Sequence, residues 1–255
     1  ISGILGRLQQ AKVAKKGLDE LMAKPVDHPD HAHLIQKPVL YGHYELNDVL
    51  FKYAEDDPRA SLAIAQLQIQ AGEKIAILGR NGAGKSTLLQ LLSGMQTPLQ
   101  GKIKLDGVDL SLLDPSDIRR DMSMLNQNSQ LFYGSIRENL TLGAPLASDE
   151  DIFAVLKLTG ALDFVQEKKE GLDHMVLEGG FGFSSGQRQA LLLARTLIRQ
   201  PNIVLLDEPT ASIDDVSERQ LIQNLQSWLG HRTLVVVTHR RAVLEWVDRI
   251  LVVHD

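Results

Sequence analysis

The feature that most constrains this chain is the run Gly79-Arg80-Asn81-Gly82-Ala83-Gly84-Lys85-Ser86. A short apolar segment from Lys74 to Leu78 leads into it, and a helical pattern begins near Thr87. The run fills every fixed position of G-x-x-x-x-G-K-[ST]. Gly79, Gly82 and Gly84 let the backbone turn tightly and present N–H groups to phosphate oxygens. The N-terminus of the helix adds its positive dipole end at the same place. Lys85 can reach the outer phosphates, and the Ser86 hydroxyl can ligate Mg²⁺. Asn81, Ala83 and Thr87 complete the segment that would wrap the phosphates. Strand, glycine turn and helix in that order imply a nucleoside-triphosphate site in an α/β fold.

A second segment supplies what such a site needs. Ile203-Val204-Leu205-Leu206 reads as a strand buried on both faces, and Asp207-Glu208 close it. Ligands of open α/β sheets sit at the carboxyl ends of strands. Two acids after a strand can also be a helix cap or a solvated turn. Beside a phosphate loop they read as Asp207 holding Mg²⁺ through water and Glu208 polarising the attacking water.

Composition sets the outer limits. The chain has 255 residues, 27 Lys plus Arg against 32 Asp plus Glu, and no cysteine. A net charge of −5 argues against a general nucleic-acid binder, and the lack of cysteine excludes disulfides, cysteine-ligated zinc and iron–sulfur clusters. No apolar run reaches the roughly 18 residues that a membrane-spanning helix needs. The start at Ile1, without Met or a signal-peptide pattern, reads as a cut from a longer protein. Within residues 1–24, Ile1, Leu5, Leu8, Ala11, Leu18, Leu21 and Met22 recur at helical steps, with Arg7, Lys12, Lys15, Lys16 and Lys24 among them. Pro25 should stop that helix, and 25–38 reads as a linker. Its His28, His31 and His33 read as solvated loop histidines rather than a metal site, because a Pro- and Asp-rich loop rarely fixes ligand geometry.

The segment Phe183-Ser184-Ser185-Gly186-Gln187-Arg188-Gln189 decides among proteins that share the two nucleotide motifs. Ser184 and Gln187 have the spacing of a helix capping box. The segment also resembles the signature motif, usually L-S-G-G-Q, of ATP-binding-cassette (ABC) proteins, with Phe183 for Leu and Ser185 for the first Gly. The resemblance extends over about 39–255. It implies a P-loop NTPase: an ABC ATPase domain with a RecA-like core, an antiparallel β subdomain and an α-helical signature subdomain near 128–200. By the same resemblance, Tyr53 stacks on adenine, though a half-buried strand aromatic is its other reading. Gln127 senses Mg²⁺ and the attacking water, Ala211-Ser212-Ile213-Asp214 is the D-loop, and His239 contacts the γ-phosphate. Glu208, His239, Gln127 and Lys85 are then the catalytic set, and Ser86, Gln127 and Asp207 the Mg²⁺ set. The signature residues Phe183, Ser184, Ser185, Gly186 and Gln187 serve the ATP of a second, head-to-tail copy. Ser185 adds a Cβ where close backbone approach is expected.

The finer class follows from further resemblances. Leu131-Phe132-Tyr133-Gly134-Ser135-Ile136-Arg137-Glu138-Asn139 is similar to exporter cassettes. With Leu142-Gly143-Ala144-Pro145 and Asp114-Pro115-Ser116-Asp117-Ile118-Arg119-Arg120 it resembles bacterial type I secretion exporters. Glu178-Gly179-Gly180 and Thr238-His239-Arg240-Arg241 fit the same group. The resemblance implies an ATPase that powers export of an adhesin- or toxin-like polypeptide at the cytoplasmic face of the inner membrane. Its partners would be a second copy, a transmembrane domain of the same longer chain, a membrane fusion protein and an outer-membrane channel. Residues 1–24 would be the cytoplasmic end of the last transmembrane helix. The alternatives are a lipid or drug exporter cassette and, in another class, a soluble ABC ATPase of DNA or ribosome metabolism.

Overall fold

A computed structural model describes residues 2–24, 33–54 and 60–254. Ile1, Pro25, His28 and His31 lie outside the described residues, as do the side chains of Leu5 and Leu8. Two compact units divide at Leu34 and Ile35. In the first, helix α1 runs from Ser2 to Met22 and carries an i,i+4 pair, Lys16 with Glu20, at 3.8 Å. No helix of the described residues is long and apolar enough to cross a membrane.

The second unit begins inside the expected linker. Ile35 pairs with Leu113 as an isolated bridge, and the Lys37 N–H donates to Asp117 at 2.8 Å. Four strands form an antiparallel sheet in the order β2 (Leu62–Ile69), β1 (Tyr44–Phe51), β4 (Gln100–Leu105), β5 (Val108–Asp109). A second sheet is parallel, in the order β11 (Arg249–Val253), β3 (Lys74–Gly79), β10 (Thr233–Val237), β9 (Ile203–Asp207), β6 (Met122–Leu125). A two-stranded ribbon pairs β7 (Gly134–Ser135) with β8 (Met175–Val176). The helices of this unit are α2 (Lys85–Leu92), α3 (Pro115–Asp121), α4 (Ile136–Thr141), α5 (Asp149–Thr159), α6 (Leu162–Gln166), α7 (Ser185–Leu197), α8 (Asp215–Leu229) and α9 (Arg241–Leu244).

The period-two alternation of strands divides the parallel sheet between two cores. Ile75, Ile77, Ile203, Leu205, Val235 and Val237 face one side, packed with α2 and the antiparallel sheet. Ala76, Val204, Leu206, Leu234 and Val236 face the other, packed with α4, α5, α7 and α8. Both faces are covered, which is why Ile203 to Leu206 reads as an unbroken apolar run. Three helices on the second side, α4, α5 and α7, start on side-chain caps. Ser135 with Glu138, Ser148 with Asp151 and Ser184 with Gln187 each close a reciprocal capping box. This architecture is α/β, with a parallel core sheet, an antiparallel sheet and a helical layer, the three parts that the resemblance leads one to expect.

Candidate nucleotide site

Sheet and loop geometry place the glycine-rich run between β3 and α2. The helix starts at Lys85, two residues before the expected point, because Gly84 takes the left-handed N-cap conformation (φ 95°, ψ 14°). A side chain there would be strained, and its Cβ would stand 2.8 Å from the Ser61 carbonyl oxygen. At Gly79 the constraint is space alone, since a Cβ would meet the Val253 carbonyl at 2.6 Å. The Lys85 side chain is buried, and its Nζ donates to the carbonyls of Gly79 and Arg80, both at 2.7 Å. The ammonium is thereby held beneath the loop by backbone dipoles. Thr87 is buried two residues along, and its hydroxyl is 2.8 Å from that of Tyr53. The Tyr53 ring stands edge-on to Phe51 at 4.9 Å and is otherwise exposed.

Two strand ends complete the cleft. Asp207 closes β9 and is buried. Glu208 follows with a positive φ of 50°, unusual for a residue with a Cβ, and its N–H donates to Val237 on the neighbouring strand at 2.8 Å. The strained turn aims its carboxylate out of the sheet end. Burial pushes the Glu208 carboxyl above the ordinary range, while the nearby His239 pulls it the other way. His239 Nε2 lies 3.5 Å from Glu208 Oε1. Gln127 follows β6 on an exposed turn closed by Ser129.

One cleft of about 1270 Å³ is lined by Tyr53, Asn81, Gly82, Ala83, Gly84, Lys85, Ser86, Thr87, Gln127, Asp207, Glu208 and His239. Twelve sequence-chosen residues therefore share a single wall system, with Gly79 just behind the loop. Leu251 to His254, at the end of β11, also line it. Nothing in their sequence marked them, since the edge position of β11 beside β3 is a matter of topology. Ser86, Gln127 and Asp207 offer a hydroxyl, an amide oxygen and a carboxylate. That all-oxygen set suits a hard cation such as Mg²⁺, which completes its shell with water and substrate phosphates. No cluster of three or more His, Cys, Asp or Glu with metal-site geometry occurs among the described residues.

The remaining chosen residues stand elsewhere. Ser184 caps α7, accepting from the Gln187 N–H at 3.1 Å, while the Ser184 N–H donates to Gln187 Oε1 at 3.0 Å. Phe183 is buried against Phe164 and His174, with the Lys168 ammonium 5.1 Å from its ring centre. A ring in place of the usual Leu thus fills a pocket of the helical region. Ser185 is exposed. Within the chain, the close backbone approach falls on Gly186, where a Cβ would meet the Ser212 carbonyl at 3.1 Å. Asp214 caps α8, accepting from the N–H groups of Val216 and Ser217 at 3.0 Å.

The family model for the ABC transporter family matches residues 62–211, from β2 to the turn after Glu208. The chain belongs to the ABC transporter family. This cassette is 36% identical over 244 residues to the leukotoxin translocation ATP-binding protein LktB of Mannheimia glucosida, covering 96% of the cassette and 34% of that relative. It is 36% identical over 247 residues to the alpha-hemolysin translocation ATP-binding protein HlyB of Escherichia coli O157:H7, covering 97% and 35%. Among solved structures, a bacterial Atm1-family ABC exporter with ATP bound superposes with a TM-score of 0.88 at 29% identity, covering 96% of the cassette and 42% of that chain. The cassette therefore spans about a third of the length of the curated relatives it matches.

Proposed function

We propose that this cassette binds and hydrolyses ATP as the motor domain of an exporter that moves a polypeptide across the bacterial inner membrane by type I secretion. The convergence of Lys85, Ser86, Gln127, Asp207, Glu208 and His239 on one cleft carries the hydrolytic part. The 36% identity to leukotoxin and haemolysin translocators supports the polypeptide part. Tyr53 stacks on the adenine, and the loop from Gly79 to Thr87 wraps the phosphates through its N–H groups. Ser86, Gln127 and Asp207 would hold Mg²⁺, which when bound neutralises charge developing on the phosphate oxygens. Glu208, its basicity raised by burial, orients and polarises the attacking water. His239 faces the γ-phosphate from beside Glu208.

The signature residues 183–187 stand away from this cleft, so a second copy, packed head to tail, brings them to its ATP. There the N-terminus of α7 meets the γ-phosphate, with Asp214 at the junction. ATP would close the pair, and loss of the γ-phosphate would let it open. A transmembrane domain of the same longer chain, a membrane fusion protein and an outer-membrane channel complete the export machine. The cassette itself works at the cytoplasmic face.

Two measurements test this. The chain should hydrolyse ATP only with Mg²⁺, and Lys85→Ala should abolish nucleotide binding. The cassette grafted in place of that of the haemolysin exporter should restore haemolysin secretion. A chimera that hydrolyses ATP, inserts in the membrane and still secretes nothing would refute the polypeptide reading while leaving the ATPase intact.

A further inference from the structure

Arg240, next to His239, has no place in the chemistry above, yet it makes an unusually complete set of contacts. Its Nε is 2.8 Å from Glu218 Oε1, and its Nη2 donates to the Ile213 carbonyl at 2.9 Å and to Asp215 Oδ1 at 3.3 Å. Glu218 lies in the first turn of α8 and is only 4% exposed. A buried carboxylate of this kind is tolerated when a cation pairs with it, and the planar guanidinium also satisfies the backbone beside it. Thus one side chain grips the end of the Ala211–Asp214 loop and the first turn of the helix that follows.

The other ends of this arrangement are equally fixed. The Arg240 N–H donates to Thr238 Oγ1 at 3.0 Å, and Thr238 is fully buried at the end of β10. His239 is therefore suspended between a residue anchored in the sheet and one anchored on α8. The loop that Arg240 grips returns to the acid: the Ala211 N–H donates to the Glu208 carbonyl at 3.3 Å, and that of Ile213 to Thr210 at 3.2 Å. On its far side Ser212 rests against Gly186 of α7, and Gln189 of α7 donates to the Glu208 carbonyl at 3.4 Å. His239, Glu208 and the loop at the junction thus form one ring, made of these hydrogen bonds and the 3.5 Å contact of His239 with Glu208, and closed by Arg240.

We propose that Arg240 is a positioning residue for hydrolysis, clamping the Ala211–Asp214 loop and helix α8 to the turn that carries His239 so that the imidazole stays registered on Glu208. This rests on the hydrolytic reading above. Arg240 does not line the nucleotide cleft, so its loss should spare ATP binding and reduce turnover. A misplacement of about 1 Å in reacting groups costs on the order of 100-fold in rate, so Arg240→Ala should lower kcat about 10- to 100-fold with KM for ATP nearly unchanged.

Removing the cation also leaves Glu218 buried and unpaired, which would destabilise any fold. The double variant Arg240→Met with Glu218→Met separates the two effects, because apolar replacement of a buried ion pair commonly restores stability. Steady-state ATPase and thermal melts of the whole chain would be compared at a temperature where each variant is folded by circular dichroism. The clamp predicts that the double variant regains Tm and keeps the low kcat. Recovery of wild-type kcat together with Tm, or an Arg240→Ala chain with wild-type kcat, would overturn it. A wild-type chain without Mg²⁺-dependent hydrolysis would instead bring down the hydrolytic reading and the clamp with it.

Discussion

Asn139 offers the sharpest quantitative test of the helical region. It is 1% exposed and joins α4 to the turn before it. Its Nδ2 donates to the carbonyls of Phe132 and Ser135 at 3.0 and 3.1 Å, and its Oδ1 accepts from the Phe132 N–H at 3.0 Å. All three partners are backbone groups in a largely buried turn, so no side chain can rearrange to replace them. Each bond is worth about 1 kcal/mol net, and groups left unpaired add to the cost, so Asn139→Ala should lose about 3 kcal/mol. For a chain of this size that corresponds to a fall in Tm of about 6–12 °C. Asn139→Leu fills the same space yet forfeits the same bonds, so it should recover little. Urea denaturation followed by circular dichroism reads both. Since Asn139 does not line the cleft, nucleotide affinity of the folded variants should be unchanged. A loss below about 1 kcal/mol for both variants would refute the reasoning that these bonds hold the turn.

Two more predictions concern the signature helix and the loop it touches. Gly186→Ala must displace the Ser212 carbonyl, now 3.1 Å from the added Cβ, and should cost about 1–3 kcal/mol, whereas Ser185→Gly at an exposed helix start should cost under about 1 kcal/mol. Equal costs in chemical denaturation would contradict the assignment of the close approach to Gly186. Asp214 is held below the ordinary aspartate range by hydrogen bonds from Ser217 and then Val216. Its folded pKa is depressed, so its stabilisation is complete above the unfolded value of 3.8 and is lost as pH falls through the folded one. The stability gap between the wild type and Asp214→Ala should therefore be constant near neutrality and narrow in acid; a gap that widens in acid would refute the cap.

What the sequence made legible were features set by short-range geometry. The glycine run, the buried strand ending in Asp207-Glu208 and the Ser184–Gln187 box are each fixed by spacing within one turn or strand, so residue order alone exposes them. The helix starts at Lys85 rather than near Thr87 because the left-handed cap at Gly84 makes the first turn begin inside the motif. The start of the compact unit at Ile35 was hidden because it depends on partners far along the chain. Leu40 donates to Asp121, while Asp106 accepts the N–H groups of Tyr41, Gly42 and His43. Arg240 was visible only as part of a His-Arg-Arg string. Its grip on Glu218 spans a strand and a helix, and no local pattern encodes that distance.

In the proposed function, the cassette hydrolyses ATP in a cleft completed by the signature residues of a second copy. Glu208→Gln tests it most directly, because the amide keeps the shape of the acid and removes its basicity. With Mg²⁺ and ATP, the variant should bind nucleotide at wild-type affinity, lose turnover, and elute as a dimer in size-exclusion chromatography with ATP and as a monomer with ADP. A variant that still turns over at the wild-type rate, or that binds ATP and stays monomeric, would contradict the account.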